Sequence, residues 1–281
     1  MTAFPLIPGY ELVRLLGGGP ITEVYAARDC LTNASCAVKL LRPNLEDPNI
    51  GLLLLRREAR AGLAIRHPNL LAYNLVHVLT EPYFLVTELL VGESLRERLC
   101  RTSRVDVATT VGIARQIAAA LASLHRRGFL HGDLKPDNIV LLPGNGVRLI
   151  DLGSARWPGE NQALLEQGYL LGTPDYLAPE LCAFQLEENG SSDLFSLGVI
   201  LFEMLAGTLP YPRGSTSHTL RCHRDCLPDQ IPMHAHPLPV ALVELIYRLL
   251  DLRPANRPSA AALELQLRIL EGFGSRRWAA A

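Results

Sequence analysis

Two aspartates, an asparagine and a lysine carry the first chemical signal in this chain. Phe129-Leu130-His131-Gly132-Asp133-Leu134-Lys135-Pro136-Asp137-Asn138-Ile139-Val140 is followed by Val147-Arg148-Leu149-Ile150-Asp151-Leu152-Gly153. Both stretches set acidic or amide side chains on turns flanked by very apolar runs. Asp133 can accept a proton, and Asn138 and Asp151 offer hard oxygen ligands of the kind Mg2+ prefers. Upstream, Ala37-Val38-Lys39 reads as a strand with Ala37 and Lys39 on one face and Val38 and Leu40 on the other. Glu58, on the next predicted helix, is of the right charge to fix that ammonium where phosphate oxygens bind. In Leu16-Gly17-Gly18-Gly19-Pro20-Ile21-Thr22-Glu23-Val24-Tyr25 the glycines let backbone N–H groups approach phosphate without a Cβ in the way. No helix follows them, so this is not a dinucleotide fingerprint. Taken singly, the glycine stretch is also an ordinary hairpin loop, and Lys39 an ordinary solvated lysine. The further element Gly172-Thr173-Pro174-Asp175-Tyr176-Leu177-Ala178-Pro179-Glu180 makes the ordered set informative.

The elements that must position these residues fall into two classes. Tyr10–Leu16, Glu23–Arg28, Ser35–Leu41, Leu75–Leu79 and Tyr83–Leu89 are short apolar or alternating runs and predict strands. Gly51–Ile65 is free of proline and predicts a helix, with Pro68 punctuating its end. From Ser94 onward helices dominate. Val107, Val111, Ala114, Ala118 and Leu121 form one apolar stripe, and Ile113, Ile117, Ala120 and Leu124 a second, so this helix belongs inside a core. Leu194–Leu205 has the same character, whereas Leu238–Leu250 and Ser259–Leu270 are amphipathic. A β-rich first third and an α-rich remainder imply two lobes with a cleft between them.

Composition bounds the partners. The 281 residues are 48% hydrophobic and 20% charged, with 27 Lys+Arg against 28 Asp+Glu. That excludes a disordered chain, and without a block of like charge neither a nucleic-acid arm nor a polybasic membrane patch is supported. The apolar run Leu194–Leu209 is interrupted by Glu203 and is too short for a membrane span. The N-terminus lacks a secretory pattern, so a cytoplasmic location with free thiols is expected. Cys222, His223 and Cys226, with His218, His234 and His236 nearby, lack a CxxC pair and are not expected to hold zinc.

Taken in order, these motifs resemble the eukaryotic-like Ser/Thr protein kinases, from about Tyr10 to Leu270. The resemblance implies an α+β, two-lobed fold: a small antiparallel N-lobe sheet with one helix (about 10–88), a hinge (about 88–92) and a larger, mostly helical C-lobe (about 93–271), together a kinase domain over 10–271. It implies transfer of the ATP γ-phosphoryl group to protein Ser/Thr hydroxyls, with Mg2+ as cofactor. Asp133 would accept the substrate proton, Lys135 neutralise charge on the transferred group, and Lys39, oriented by Glu58, hold the α- and β-phosphates. Gly17 and Gly19 would cover the phosphates, and Asn138 and Asp151 bind the metal. Leu16, Val24, Ala37, Thr87, Glu88, Leu90 and Val140 complete the nucleotide site, with Val24, Ala37 and Val140 around the adenine, Thr87 as gatekeeper, and Glu88 and Leu90 as hinge. Asp193 resembles the residue that steadies the catalytic loop, and Arg257 the partner of Glu180. Protein substrates are the expected partners, with a transient homodimer for autophosphorylation; nucleic acid and membrane are not expected. Phosphoryl transfer asks for positioning and charge neutralisation more than covalent help, and these residue types supply both.

Four positions depart from the family pattern: Thr22 for the third loop glycine, Gly132 for the arginine before the catalytic aspartate, Leu152 for phenylalanine, and Gly62 for a leucine-like helix residue. Without an arginine at 132, activity is expected not to depend on phosphorylation after Asp151, so Ser154 and Tyr169 are expected to be dispensable, with Thr173 structural. Gly62 is expected to loosen the Glu58 helix, with Tyr73 filling the gap. Two alternatives compete: a non-catalytic ATP-binding scaffold, against which Lys39, Asp133 and Asp151 all stand, and a small-molecule phosphotransferase, which would not carry Gly172–Glu180 with Arg257.

Overall fold

Alternation of side chains between residues 10 and 41 produces three antiparallel strands, β1 (Tyr10–Gly18), β2 (Thr22–Asp29) and β3 (Ser35–Leu41). The computed structural model describes residues 4–166, 169, 171–182, 189–231 and 238–277. Asp29 closes the β2–β3 turn, its Oδ1 accepting from the N–H groups of Leu31 and Thr32 at 2.9 and 2.8 Å. Helix α1 (Pro48–Ala64) begins three residues before the predicted Gly51, because Asp47 caps it: its Oδ1 accepts from Asn49 and Ile50, and Pro48 takes the first turn. Strands β4 (Tyr73–His77) and β5 (Phe84–Glu88) complete a five-stranded sheet in the order β1-β2-β3-β5-β4. Strand β4 lies two residues earlier than its predicted start at Leu75, which brings Tyr73 into the ladder. On one face Cys36, Val38 and Leu40 join Leu12, Tyr25, Ala27, Phe84 and Val86 in a buried core. Strand period therefore sends Ala37 and Lys39 to the other face, as the pattern predicts.

After Val91 the chain turns helical. The pair Glu93–Ser94 (β6) leads into α2 (Leu95–Thr102), opened by a capping box in which Glu97 N–H donates to Ser94 Oγ and Ser94 N–H donates to Glu97 Oε2. Helix α3 (Val107–Arg126) starts at the Asp106 cap. It is long and apolar enough to cross a membrane by length and composition, yet both predicted stripes pack within the helical unit, against α6 and α9 (below). A 3-10 turn at Pro136–Asn138 precedes β7 (Ile139–Leu141) and β8 (Val147–Leu149), and β7 pairs with both β6 and β8 in a three-stranded sheet. Then come α4 (Gln162–Glu166), a 3-10 turn at Pro174–Tyr176, α5 (Pro179–Cys182), α6 (Ser191–Ala206), α7 (Thr216–Asp225), α8 (Val240–Leu249) and α9 (Ala260–Arg277). Every residue of α6 from Ser192 to Ala206 is buried, and Gly207, at φ +77°, ends it by donating to Glu203 O.

The chain divides into two compact units. The first runs up to Val91 and includes Asp151–Ser154; the second is the remainder from Gly92. All six cysteines are free thiols. His234 and His236 lie outside the described residues.

Candidate active site

In the first unit the chemistry centres on Lys39. Its ammonium donates to Glu58 Oε2 at 2.6 Å and to Asp151 Oδ1 at 2.8 Å. Strand β3 delivers the lysine and α1 the glutamate, and Asp151 comes from the segment that joins this unit. The lysine side chain is 15% exposed, Glu58 2% and Asp151 42%, so the cluster opens to solvent on the aspartate side. Burial alone would lower the lysine pKa; Asp151 and Glu58 outweigh it and hold the group above its ordinary value, as a cation. Burial pushes the Glu58 carboxyl upward, against the pull of Lys39 and of a hydrogen bond donated by the Tyr73 hydroxyl at 2.9 Å. Asp151 sits at φ +62°, a left-handed conformation that costs a non-glycine residue about 1 kcal/mol or more. Its Oδ1 also accepts from Gly153 N–H at 3.2 Å.

The other first-unit residues surround this cluster by register. Val24 pairs with Lys39, Ala37 with Thr87, and Cys36 with Glu88. Thr87 is buried and lies opposite Tyr73 on its other side. Glu88 is fixed through Ala72, exchanging its own N–H to Ala72 O and accepting Ala72 N–H on Oε1. Leu90 follows just beyond β5. Leu16, Gly17 and Gly19 lie at the β1–β2 hairpin, which Gly19 N–H closes onto Thr22 O at 2.9 Å. Since the bond is to the Thr22 backbone, the loop turns without a third glycine. A Cβ on Gly17 or Gly19 would meet nothing, whereas one on Gly18 would lie 2.9 Å from Thr22 O. The steric demand for glycine thus falls at position 18, between the two that the motif singles out.

In the second unit Asp133 and Lys135 form a linked set with Thr173. Lys135 Nζ lies 2.8 Å from Asp133 Oδ2 and donates to Thr173 Oγ1 at 3.0 Å, while Thr173 donates to Asp133 Oδ1 at 2.7 Å. Thr173, expected to be structural, is therefore bonded directly to the candidate proton acceptor. Asn138 is buried in the 3-10 turn and donates from Nδ2 to Asp133 O at 2.9 Å, leaving Oδ1 as its acceptor. Val140 follows on β7.

The loop carrying Asp133 is anchored by Asp193 on α6. Asp193 accepts from His131 N–H at 2.8 Å, Gly132 N–H at 2.9 Å and His125 Nε2 at 2.8 Å. Burial alone would raise its pKa, but these donors bring it down to about 2. Gly132 takes φ +79°, which glycine adopts without Cβ strain. Arg257 meets Glu180 in a buried two-pronged pair at 2.8 and 2.9 Å, and Ser192 Oγ also donates to Glu180. Two further residues have roles that the sequence does not assign. Tyr176, a further hydroxyl between Asp151 and Glu180, donates to Glu203 Oε2 at 2.6 Å. Arg96 bonds the Tyr176 hydroxyl, Glu203 Oε1 at 2.9 Å and Asp137 Oδ2 at 3.3 Å. Glu203 interrupting an apolar helix was the available signal, since a buried carboxylate requires a partner.

Comparison with known proteins agrees with this inventory. Residues 10–266 match the family described as protein kinase domain. Among curated proteins, the chain is 31% identical over 249 residues to the serine/threonine-protein kinase PknD of Mycobacterium tuberculosis, covering 88% of this chain and 37% of that protein. It is 30% identical over 275 residues to the serine/threonine-protein kinase pkn3 of Myxococcus xanthus, covering 93% and 50%. It is 32% identical over 262 residues to the serine/threonine-protein kinase PknB of Mycobacterium leprae, covering 90% and 41%. The chain thus spans between about a third and a half of these relatives' length. With an antiparallel sheet and one helix in its first unit, a helical second unit and the motif residues on the elements just described, the chain belongs to the protein kinase domain family.

Proposed function

We propose that the chain is a Ser/Thr protein kinase that transfers the γ-phosphoryl group of ATP to protein hydroxyls. The observation that carries this reading is the doubly paired ammonium of Lys39, held charged by two carboxylates and suited to nucleotide phosphates. Asp133 supports the second half of the chemistry: its carboxylate is ionically paired, accepts a hydroxyl proton donor already in Thr173, and is fixed through its loop by Asp193. A substrate hydroxyl in the place of such a donor would give its proton to the same carboxylate as it attacks phosphorus. Lys135, bonded beside it, would meet the charge of the transferred group.

Asn138 and Asp151 would hold Mg2+, which would neutralise phosphate charge. The donor set fits, being hard oxygens in both cases. Asp151 would then share its oxygens between Lys39 and the cation. The names of the relatives and the pair Lys135-Pro136 favour Ser and Thr acceptors on proteins; autophosphorylation in a transient homodimer belongs to the same proposal.

Incubation with radiolabelled ATP, Mg2+ and a protein acceptor tests this. Label is expected on protein with wild type and is expected to be lost by at least a hundredfold in Asp133→Ala. Label on a small molecule would favour a small-molecule phosphotransferase, and nucleotide binding without transfer would favour a scaffold.

A further inference from the structure

The helix that carries Glu58 lacks a side chain one turn later, at Gly62, and a strand residue stands there instead. A Cβ on residue 62 would fall 2.3 Å from Tyr73 Cδ2, 2.5 Å from Cε2 and 2.7 Å from Cγ. The ring of Tyr73 thus lies against the glycine backbone at a distance that only glycine admits. Seated there, Tyr73 is 5% exposed, and its hydroxyl reaches Glu58 Oε1 at 2.9 Å while Lys39 holds Oε2 at 2.6 Å. A phenylalanine ring would fill the same space, so the hydroxyl goes beyond packing. What it touches is the carboxylate that orients Lys39.

We propose that Tyr73 is a positioning residue for phosphoryl transfer, acting through Glu58: it replaces the missing side chain of Gly62 with a ring and uses its hydroxyl to hold the Glu58 carboxylate toward Lys39. The proposal rests on the kinase reading and deepens it. Tyr73 is paired with Thr87 in the β4–β5 ladder, so the orientation of α1 is set from the sheet as well as from its own side chains. The usual leucine-like residue supplies apolar contact alone; the Gly62–Tyr73 pair adds a polar bond to the same place.

Four proteins test it: wild type, Tyr73→Phe, Glu58→Gln and the double variant, assayed for phosphorylation of dephosphorylated casein at varied MgATP. Tyr73→Phe is expected to lower kcat about tenfold and to raise the KM for ATP several-fold, with the thermal midpoint lowered by no more than roughly 2–10 °C. A merely structural loss of active molecules would lower kcat without moving KM. On the Glu58→Gln background the same change is expected to add less than about twofold, because the partner through which it acts is gone. Hydrogen exchange supplies a readout independent of turnover: in apo Tyr73→Phe, amides 55–62 are expected to exchange about tenfold faster than in wild type. Equal losses on both backgrounds, or kinetics and exchange both unmoved by Tyr73→Phe, overturn the proposal. A wild type that labels nothing overturns the kinase reading itself, and the exchange arm then reports separately whether the hydroxyl holds α1.

Discussion

Asp193 joins burial to three donated hydrogen bonds, which makes its protonation a stability matter. Its pKa falls from 3.8 to about 2 on folding. A carboxyl depressed in this way contributes stability that is fully present above its unfolded value and is lost as pH falls through its folded value. The window is therefore pH 4 to 2, and the contribution is roughly 2 kcal/mol at about 1.4 kcal/mol per unit. Asp193→Asn is expected to lose about this much at pH 7, since one oxygen becomes a donor facing donors. Denaturant unfolding should find the variant's stability falling by about 2 kcal/mol less than wild type between pH 4 and 2; parallel curves would refute the assignment. Gly132, held in the same loop, has no side chain to receive a phosphate. Ser154→Ala with Tyr169→Phe is accordingly expected to leave the phosphorylation rate within twofold of wild type, and a tenfold loss would show that a modified hydroxyl in this segment matters. At this scale the motif residues were legible because each has few chemical equivalents. Thr173, Tyr176 and Arg96 were not: their roles come from partners dozens of residues away, which spacing does not encode.

Elements were legible where period and burial agree. Strand β3 and helix α3 begin where alternation and the two apolar stripes start. Helix α1 starts three residues before its apolar pattern because its N-terminal signal is Asp47-Pro48, a cap and a first-turn proline. Helices α2 and α7 are short and polar, with little apolar stripe to count. Strand β4 shifted by two residues because Tyr73 is fixed by tertiary contact with Gly62. Helix α6 offers a sharper test of element packing. It is buried on all sides, and a Cβ on Gly198 would lie 2.8 Å from Leu249 Cβ at the end of α8. Gly198→Ala gains about 1 kcal/mol of helix propensity in isolation. Overpacking works against that gain by about 1–3 kcal/mol, because the obstructing atom sits at the root of its side chain and has little room to yield. Chemical denaturation should show net destabilisation for Gly198→Ala and a larger loss for Gly198→Val. A stabilised alanine variant would mean that α6 and α8 separate easily.

For the molecule as a whole, the change from strands to helices near residue 91 is visible in composition, but the membership of Asp151–Ser154 in the first unit is not, because Asp151 meets Lys39 across 112 positions of sequence. This assignment separates two tasks. Lys39, Glu58 and Asp151 are charged groups suited to a nucleotide, whereas Asp133 with Thr173 suits an acceptor hydroxyl. A ligand that binds only the folded chain stabilises it by RT ln(1 + [L]/Kd), about 2.7 kcal/mol at a hundredfold excess over Kd. For a chain of this length that corresponds to a rise in Tm of roughly 5–10 °C. MgATP is expected to produce such a rise in wild type, and Lys39→Met or Asp151→Asn to abolish it relative to each variant's own baseline. Asp133→Ala is expected to keep the shift while losing transfer, because removing a proton acceptor leaves phosphate binding in place. A shift that survives Lys39→Met and Asp151→Asn would place the nucleotide elsewhere on the chain, and loss of the shift in Asp133→Ala would mean that the two tasks are not separable by residue.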